Sequence, residues 1–486
     1  MLGVLAAQPK RARLLVTSRY PFVLPGHRDR VLVYQAVGPL SPAETMKLAW
    51  ALPGLDRLSE PELARVNQLV GGHPRCLEYV DALLCGGTSR YPDVTARLLD
   101  HLAERPDVPD LDDWLGAHSR LEPAVAAAVT RAADEVLLDR LLAQLAAVPG
   151  AEDLLLGLSV HRREIDRAGL LFQSGSIDAD AAVDGIEPHP PRRAPDNLEQ
   201  LVQAGIASSL LSVGTSGDQT CLFVHRWTAT ELAERWTTAG SGSQIVAAHL
   251  RAAEYWQWRV KVWPQDRGAD VDDLTEARHH LLAAGRADQA NDLSWAIAHV
   301  LHSWGAWDRE DALIRDTLAA LPDAHVGRSN WIRQLADTAH GRGRVGEANQ
   351  LYRQALTIDH QLVEKAPDNT GFQRGLSVSY ERLGDLAREA GDRGEAARLY
   401  REGLGIAERL VALAPDNTGF QRDLWVSVDR LADLAADQTD AGMAIRSALQ
   451  SATDLLGYDH PLTDAIRRRI DGDDGPSEST EVAESD

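Results

Sequence analysis

The stretch LLVTSRYPF (residues 14–22) ends an apolar, β-branched run in Thr17, Ser18 and Arg19. A buried parallel strand has this form when it delivers a polar residue to a nucleotide at its carboxyl end. A phosphate cradle needs more: backbone amides in a glycine-rich turn, a lysine, and a hydroxyl for Mg²⁺. The sequence has no G-x-x-x-x-G-K-[ST], and none of its four lysines (Lys10, Lys47, Lys261 and Lys365) has that setting. Without the cradle, Arg19 reads as a relic or a surface arginine. In the same way Pro74 reads as a helix-start proline, and His225 as a histidine in the first turn of a helix.

Other chemistry-bearing patterns are formal only. GRGRVG (341–346) matches G-x-G-x-x-G, but no strand precedes it, and its glycines read as a helix-ending turn. His279–His280 has no carboxylate or thiolate at ligand spacing, so no metal site is expected. There is no H-E-x-x-H and no G-x-S-x-G. Cys76, Cys85 and Cys221 make no C-x-x-C pair and no disulfide framework, which fits a reducing cytoplasm. Trp256, Trp258, Trp304 and Trp307 read as helix–helix packing.

The remaining candidates are carboxylates in a repeat. APDNTGFQR occurs at 366–374 and again at 414–422, 48 residues later; Leu335, Leu383 and Leu431 keep that spacing, as do Ala348, Ala396 and Ala444. A fixed period with two helices per unit signals a solenoid. Residues at i and i+4 share a helix face. On the first helix of each unit that face carries Arg333 and Asp337, then Glu381 and Asp385, then Asp429 and Asp433. Five of these six are acidic, which suggests a groove for a basic or amine-bearing segment of a partner protein. The alternative is a solvated acidic surface on a chain of net charge −22.

The elements that must position these residues are mainly helices. SPAETMKLAWAL and SEPELARVNQLV each place a Ser before a Pro and a Glu three residues on, the signature of a capping box with Pro in the first turn. GGHPRCLEYVDALL opens another helix at 71–72. Residues 174–197 are polar, Pro-bearing and aperiodic, and predict a mobile loop. Beyond them, LEQLVQAGIASSLL is a helix leading into a strand, VGTSGDQ a turn, and TCLFVHRW a strand entering a helix. Helices followed by a hairpin make a winged-helix pattern. From about 244 only helices with short connections follow, and residues 471–486 predict a disordered acidic tail.

Composition limits the partners. The charge of −22 disfavours nucleic acid and anionic membrane across the whole surface. Residues 120–236 hold 10 basic and 17 acidic side chains, against a DNA-reading winged helix. No stretch approaches 18 uninterrupted apolar residues.

Several motifs carry a family resemblance. Tyr380, Leu383, Gly384, Ala387, Ala396, Tyr400 and Gly403 fall at the spacing of the tetratricopeptide pattern, with a second helix longer than usual. LLGYDHPLTDAIRRRI resembles the kinesin-light-chain style of that repeat. In order, LLVTSR, LSPAETMKLAW, GGHPRCL, FVHRW and the repeats resemble the back half of a bacterial STAND (NB-ARC-like) signalling ATPase. The resemblance implies that Arg19 would reach the terminal phosphate, that Pro74 would pack on adenine, and that His225 would contact the ADP phosphate. The family's usual Asp after that His is Arg226 here. It also implies a chain that begins inside a nucleotide-binding domain and keeps its last strand.

The expected fold is mainly α. An α/β remnant (1–35) leads to a helical domain (36–118), a winged helix with a small β-hairpin (119–238), degenerate hairpins (244–325), tetratricopeptide-like repeats (326–470) and the tail (471–486). The expected function is non-catalytic protein–protein interaction, as the sensor and regulatory portion of a signalling switch. No cofactor is expected, ADP or ATP belonging only to an intact homologue. The alternatives are an ATP-dependent regulator completed by a missing N-terminal half, or a winged-helix transcriptional regulator.

Overall fold

The computed structural model describes residues 39–85, 89–106, 108–111, 113–114, 123–177, 192–216, 219–323, 325–435 and 439–471. The expected α/β remnant at 1–35, with its strand at 14–19, lies outside them, as does the expected tail at 471–486 beyond Asp471. Among the described residues there are helices and two small two-stranded sheets, and no helix is long and apolar enough to cross a membrane. The fold is therefore mainly α, as expected. The chain divides into two compact units, Met1–Leu293 and Ser294–Asp486.

In the first unit, α1 (Pro42–Ala49) and α2 (Glu60–Leu69) start as their capping boxes require. The Ser41 and Ser59 amides each donate to the Glu three residues on, at 2.8 Å. Gly71 and Gly72 then take φ of +62° and +66°. A Cβ on Gly71 would lie 2.4 Å from the Ala126 carbonyl oxygen, so only glycine fits this turn. It launches α3 (Pro74–Cys85), which packs with α4 (Tyr91–Ala103) on α5 (Pro123–Leu145).

After α5, Gly150 (φ +88°) precedes α6 (Ala151–Ser159), followed by α7 (Arg167–Ser174). The predicted loop 174–197 is partly structured. β1 (Ser176–Ile177) pairs antiparallel with β2 (Arg192–Arg193), because the ends of the segment come together whatever lies between them. α8 (Leu198–Ala207) leads into the hairpin β3 (Ser212–Ser216) and β4 (Gln219–Phe223). The expected turn VGTSGDQ is shorter than read. β3 continues to Ser216, since Thr215 and Ser216 pair with Thr220 and Gln219. Ile165 exchanges both backbone hydrogen bonds with Leu222, adding a third edge to the hairpin. α9 (Arg226–Thr238), α10 (Gly242–Val262) and α11 (Arg267–Ala283) follow. Tyr255 and Trp256 of α10 are wholly buried, with Phe172 of α7 5.8 Å from the Tyr255 ring.

The boundary between units falls inside α12 (Ala287–Ser303). The second unit continues with α13 (Trp307–Ala320), α14 (Arg328–Gly341), α15 (Val345–Lys365), α16 (Thr370–Glu389), α17 (Arg393–Leu413), α18 (Thr418–Ala435), α19 (Thr439–Leu456) and α20 (Pro461–Asp471). GRGRVG forms the turn between α14 and α15, with Gly343 at φ +74°. The repeated APDNTGFQR is a helix-to-helix turn. Asn369 and Asn417 accept from the amides of Phe372 and Phe420 at 3.1 and 3.2 Å, and Gln421 reaches back to the Pro415 carbonyl at 2.6 Å.

Within the central repeat the helices run antiparallel, since Gly384 meets Tyr400 while Ser377 donates to the Gly403 carbonyl at 3.0 Å. In this repeat the extra length is shared: α16 has 20 residues and α17 has 21. The extra length expected of the second helix alone is seen in the preceding pair, where α14 has 14 residues and α15 has 21. Ala348 and Ala396 are fully buried at the crossings. Trp256 packs as expected, whereas Trp304 is 37% exposed.

Candidate functional site

Two regions hold the residues singled out from the sequence. In the first unit, Pro74 opens α3 and His225 is the N-cap of α9, its Nδ1 accepting from the Trp227 amide at 3.3 Å. The flanking residues meet: the His73 and Trp227 rings stand 5.1 Å apart. Tyr79 Oη lies 2.5 Å from Thr228 Oγ1, which also accepts from Arg75 Nε at 3.3 Å. Arg75 further bonds Glu78 and the Ser209 carbonyl. The N-termini of α3 and α9 are thus held side by side by a buried polar network.

Burial dominates the electrostatics there. It lowers the His73 pKa and pushes Tyr79 up to about 12. It also raises Asp134 to about 6, against the opposing influence of Trp227, Arg235 and Arg75. Arg19 lies outside the described residues, so the expected trio of Arg19, Pro74 and His225 is seen only as the neighbourhood of the last two. His225 has a structural task as a helix cap whether or not it meets a ligand.

In the second unit the five predicted carboxylates fall on successive first helices, and arginines of the following elements meet all five. Asp337 forms an ion pair with Arg382 at 3.4 Å and accepts from the Tyr352 hydroxyl. Asp385 accepts from Arg430 at 2.9 and 3.0 Å and from the Tyr400 hydroxyl at 2.8 Å. Glu381 accepts from Ser427 at 2.6 Å and Arg430 at 2.8 Å. Asp429 and Asp433 share Arg469, at 2.7 and 2.5 Å. The sixth position, Arg333, is buried on Asp359 at 2.5 Å and Ser379 at 2.9 Å.

These contacts make a ladder with the period of the repeat. They differ from an unpaired acidic face, because most of the charge is spent between neighbouring hairpins. Glu381, only 7% exposed, has its pKa raised by burial against the pull of Ser427 and Arg430. Burial also works against the charge of Arg430, but Asp385 and Glu381 outweigh it and hold its pKa above the ordinary value. At the carboxyl end one guanidinium again serves two carboxylates, as Arg430 does, but here both carboxylates are half-exposed. Along the same face run two adjoining hollows of about 520 and 420 Å³, which share His340, Tyr352 and Arg382.

Sequence reasoning missed the arginines. Arg382 and Arg430 are themselves 48 residues apart, as are Tyr352 and Tyr400. The signal was present for anyone applying the period to basic and aromatic residues as well as to acids. Among the described residues no group of three or more His, Cys, Asp or Glu is placed to hold a metal ion.

No family model and no curated protein matches the chain. Among solved structures it is similar to TPR-like repeats assigned to a kinesin light chain of Podosopora anserina, at 17% identity. That match covers 46% of this chain and 92% of the other, with a TM-score of 0.20. It is also similar to a Signal Transduction ATPase with Numerous Domains (STAND) protein with a tetratricopeptide repeat sensor from Pyrococcus horikoshii. Here the identity is 15% and the TM-score 0.24, covering 88% of this chain and 62% of that one. At these scores the similarity assigns no family.

Proposed function

We propose that this chain is a non-catalytic interaction and regulatory protein whose second unit captures a basic segment of a partner. The observation that carries the reading is the carboxylate row repeated on one face. It keeps a net negative end at Asp429 and Asp433, beside hollows walled by Tyr352 and Trp425. Repeats of paired helices build extended surfaces of this kind. A cationic side chain entering there would compete with Arg469 for two carboxylates and find aromatic faces nearby.

The test uses the full chain and a fluorescent oligolysine peptide, with oligoglutamate as control. Anisotropy should report binding of oligolysine only, weakened at least about tenfold by Asp429→Asn with Asp433→Asn and by raised salt. Binding unaffected by the double substitution, or no binding, overturns the reading.

For the first unit we propose the regulatory portion of a STAND-like switch. The juxtaposed N-termini of α3 and α9 support this, because the resemblance brings the Pro74 and His225 motifs to one place. The chain by itself is proposed not to turn over ATP. Mg²⁺-dependent hydrolysis by the purified chain, abolished by Arg19→Ala, would overturn that.

A further inference from the structure

We propose that His161, His249 and His280 form a proton-operated latch, which holds α11 against the loop 160–166 at neutral pH and releases it on acidification. The three rings come from three elements: the loop after α6, α10 and α11. His280 is completely buried. Its Nδ1 lies 2.9 Å from Nδ1 of His249, so one of the two nitrogens donates and the other must be unprotonated. On its other side the His161 ring stands 5.3 Å away, edge-on. His279 lies 5.3 Å from His280 and 6.3 Å from His249.

The tautomer of His161 follows from its neighbours. Gln173 Oε1 accepts from Arg251 Nε at 3.2 Å, which fixes the amide orientation. The Gln173 NH₂ then donates to the Ala248 carbonyl at 3.1 Å and to His161 Nε2 at 3.0 Å. An Nε2 that accepts cannot carry a proton. His161 Nδ1 and His280 Nε2 are both buried without a hydrogen-bond partner.

The charged groups around the cluster include arginines and the carboxylates that pair with them. From the loop come Arg162 and Arg163, with Glu164 and Asp166; from α10 come Arg251, Arg259 and the Tyr255 phenol. From α11 come Asp273 and Glu276. Glu276 takes Arg162 through two bonds of 3.1 and 2.9 Å. Asp273 takes Arg163 at 2.7 Å and Arg259 at 3.0 Å, and Asp166 also faces Arg259. A protonated ring on α11 would find Asp273 and Glu276 already taken by arginines and would face the like charge of Arg162. Burial accordingly lowers His161 to about 3 and His249 to about 4, and holds His280 far below the ordinary value.

The sign follows from linkage. A folded-state pKa below the unfolded value of about 6.5 means that the closed form excludes protons the open form accepts. The closed form is therefore fully favoured above that pH and loses stability as pH falls below it. One such group shifts the opening equilibrium about tenfold between pH 7.5 and pH 5.5, and coupled groups shift it more.

Hydrogen exchange of the full chain, corrected for intrinsic pH dependence, tests this. Peptides from 267–283 should exchange at least about tenfold faster at pH 5.5 than at pH 7.5, while peptides from 393–413 do not. His161→Gln with His280→Gln should shrink the difference, since only His249 of the three still excludes a proton. A pH response equal in both proteins, or none in the wild type, overturns the latch. Should the double variant fail to fold, C2-hydrogen exchange of the histidines in the wild type decides. A His161 or His280 titrating near 6.5 overturns the proposal, and values shifted below 5 support it.

Discussion

Asp385 of α16 and Arg430 of α18 meet through hydrogen bonds of 2.9 and 3.0 Å, and the same guanidinium reaches Glu381 at 2.8 Å. One side chain therefore joins two carboxylates of the preceding repeat. All three side chains are at most 22% exposed, so water compensates little for a lost partner. Arg430→Ala should destabilise the second unit by about 3 kcal/mol, because it leaves two largely buried carboxylates without their cation. Arg382→Ala removes a 3.4 Å contact from an arginine 42% exposed and should cost under about 1 kcal/mol. Urea unfolding of both variants measures the difference. Equal losses would show that the ladder is not what couples the hairpins.

Glycines in the second unit separate by position. A Cβ on Gly384 would lie 2.4 Å from the Tyr400 ring, so Gly384→Ala forces the two helices apart and should cost about 1–3 kcal/mol. Gly346 lies in the first turn of α15 with nothing within 4 Å of a Cβ. Gly346→Ala should be neutral or stabilise by about 0.5 kcal/mol. Thermal unfolding of the two variants should move in opposite directions or differ clearly in size.

The turn motif predicts a matched pair of losses. Asn369→Ala and Asn417→Ala each remove a cap to an amide of the following helix and should each cost about 1 kcal/mol, measured by urea unfolding. Replacement by Asp should restore most of it, since its carboxylate accepts the same hydrogen bond.

Asp134 gives a pH-dependent prediction with the opposite sign to the histidines. Burial raises its folded pKa from 3.8 to about 6, so between those values the folded state holds a proton the unfolded state has lost. Its cost is absent below pH 3.8, grows as pH rises, and is complete above pH 6. Asp134→Asn should therefore stabilise the protein by about 2–3 kcal/mol at pH 7.5 and by little at pH 4. Calorimetry at the two pH values checks this. A loss of stability at pH 7.5 would show that the ionised carboxylate is needed by Arg75 and Trp227.

Local grammar determined much of this protein. The capping boxes at Ser41 and Ser59, the paired turns at Asn369 and Asn417 and the 48-residue register could be read because each depends on residues a few positions apart or on strict recurrence. The row of Asp337, Glu381, Asp385, Asp429 and Asp433 could be read for the same reason. What those carboxylates face was decided only in three dimensions. Whether an acid meets solvent or a guanidinium depends on how one hairpin stacks on the next, and partners such as Asp385 and Arg430 are remote in sequence. The histidine cluster shows the same limit. His161, His249 and His280 sit in unremarkable local patterns, and only the packing of α10 and α11 on the loop after α6 brings their rings together.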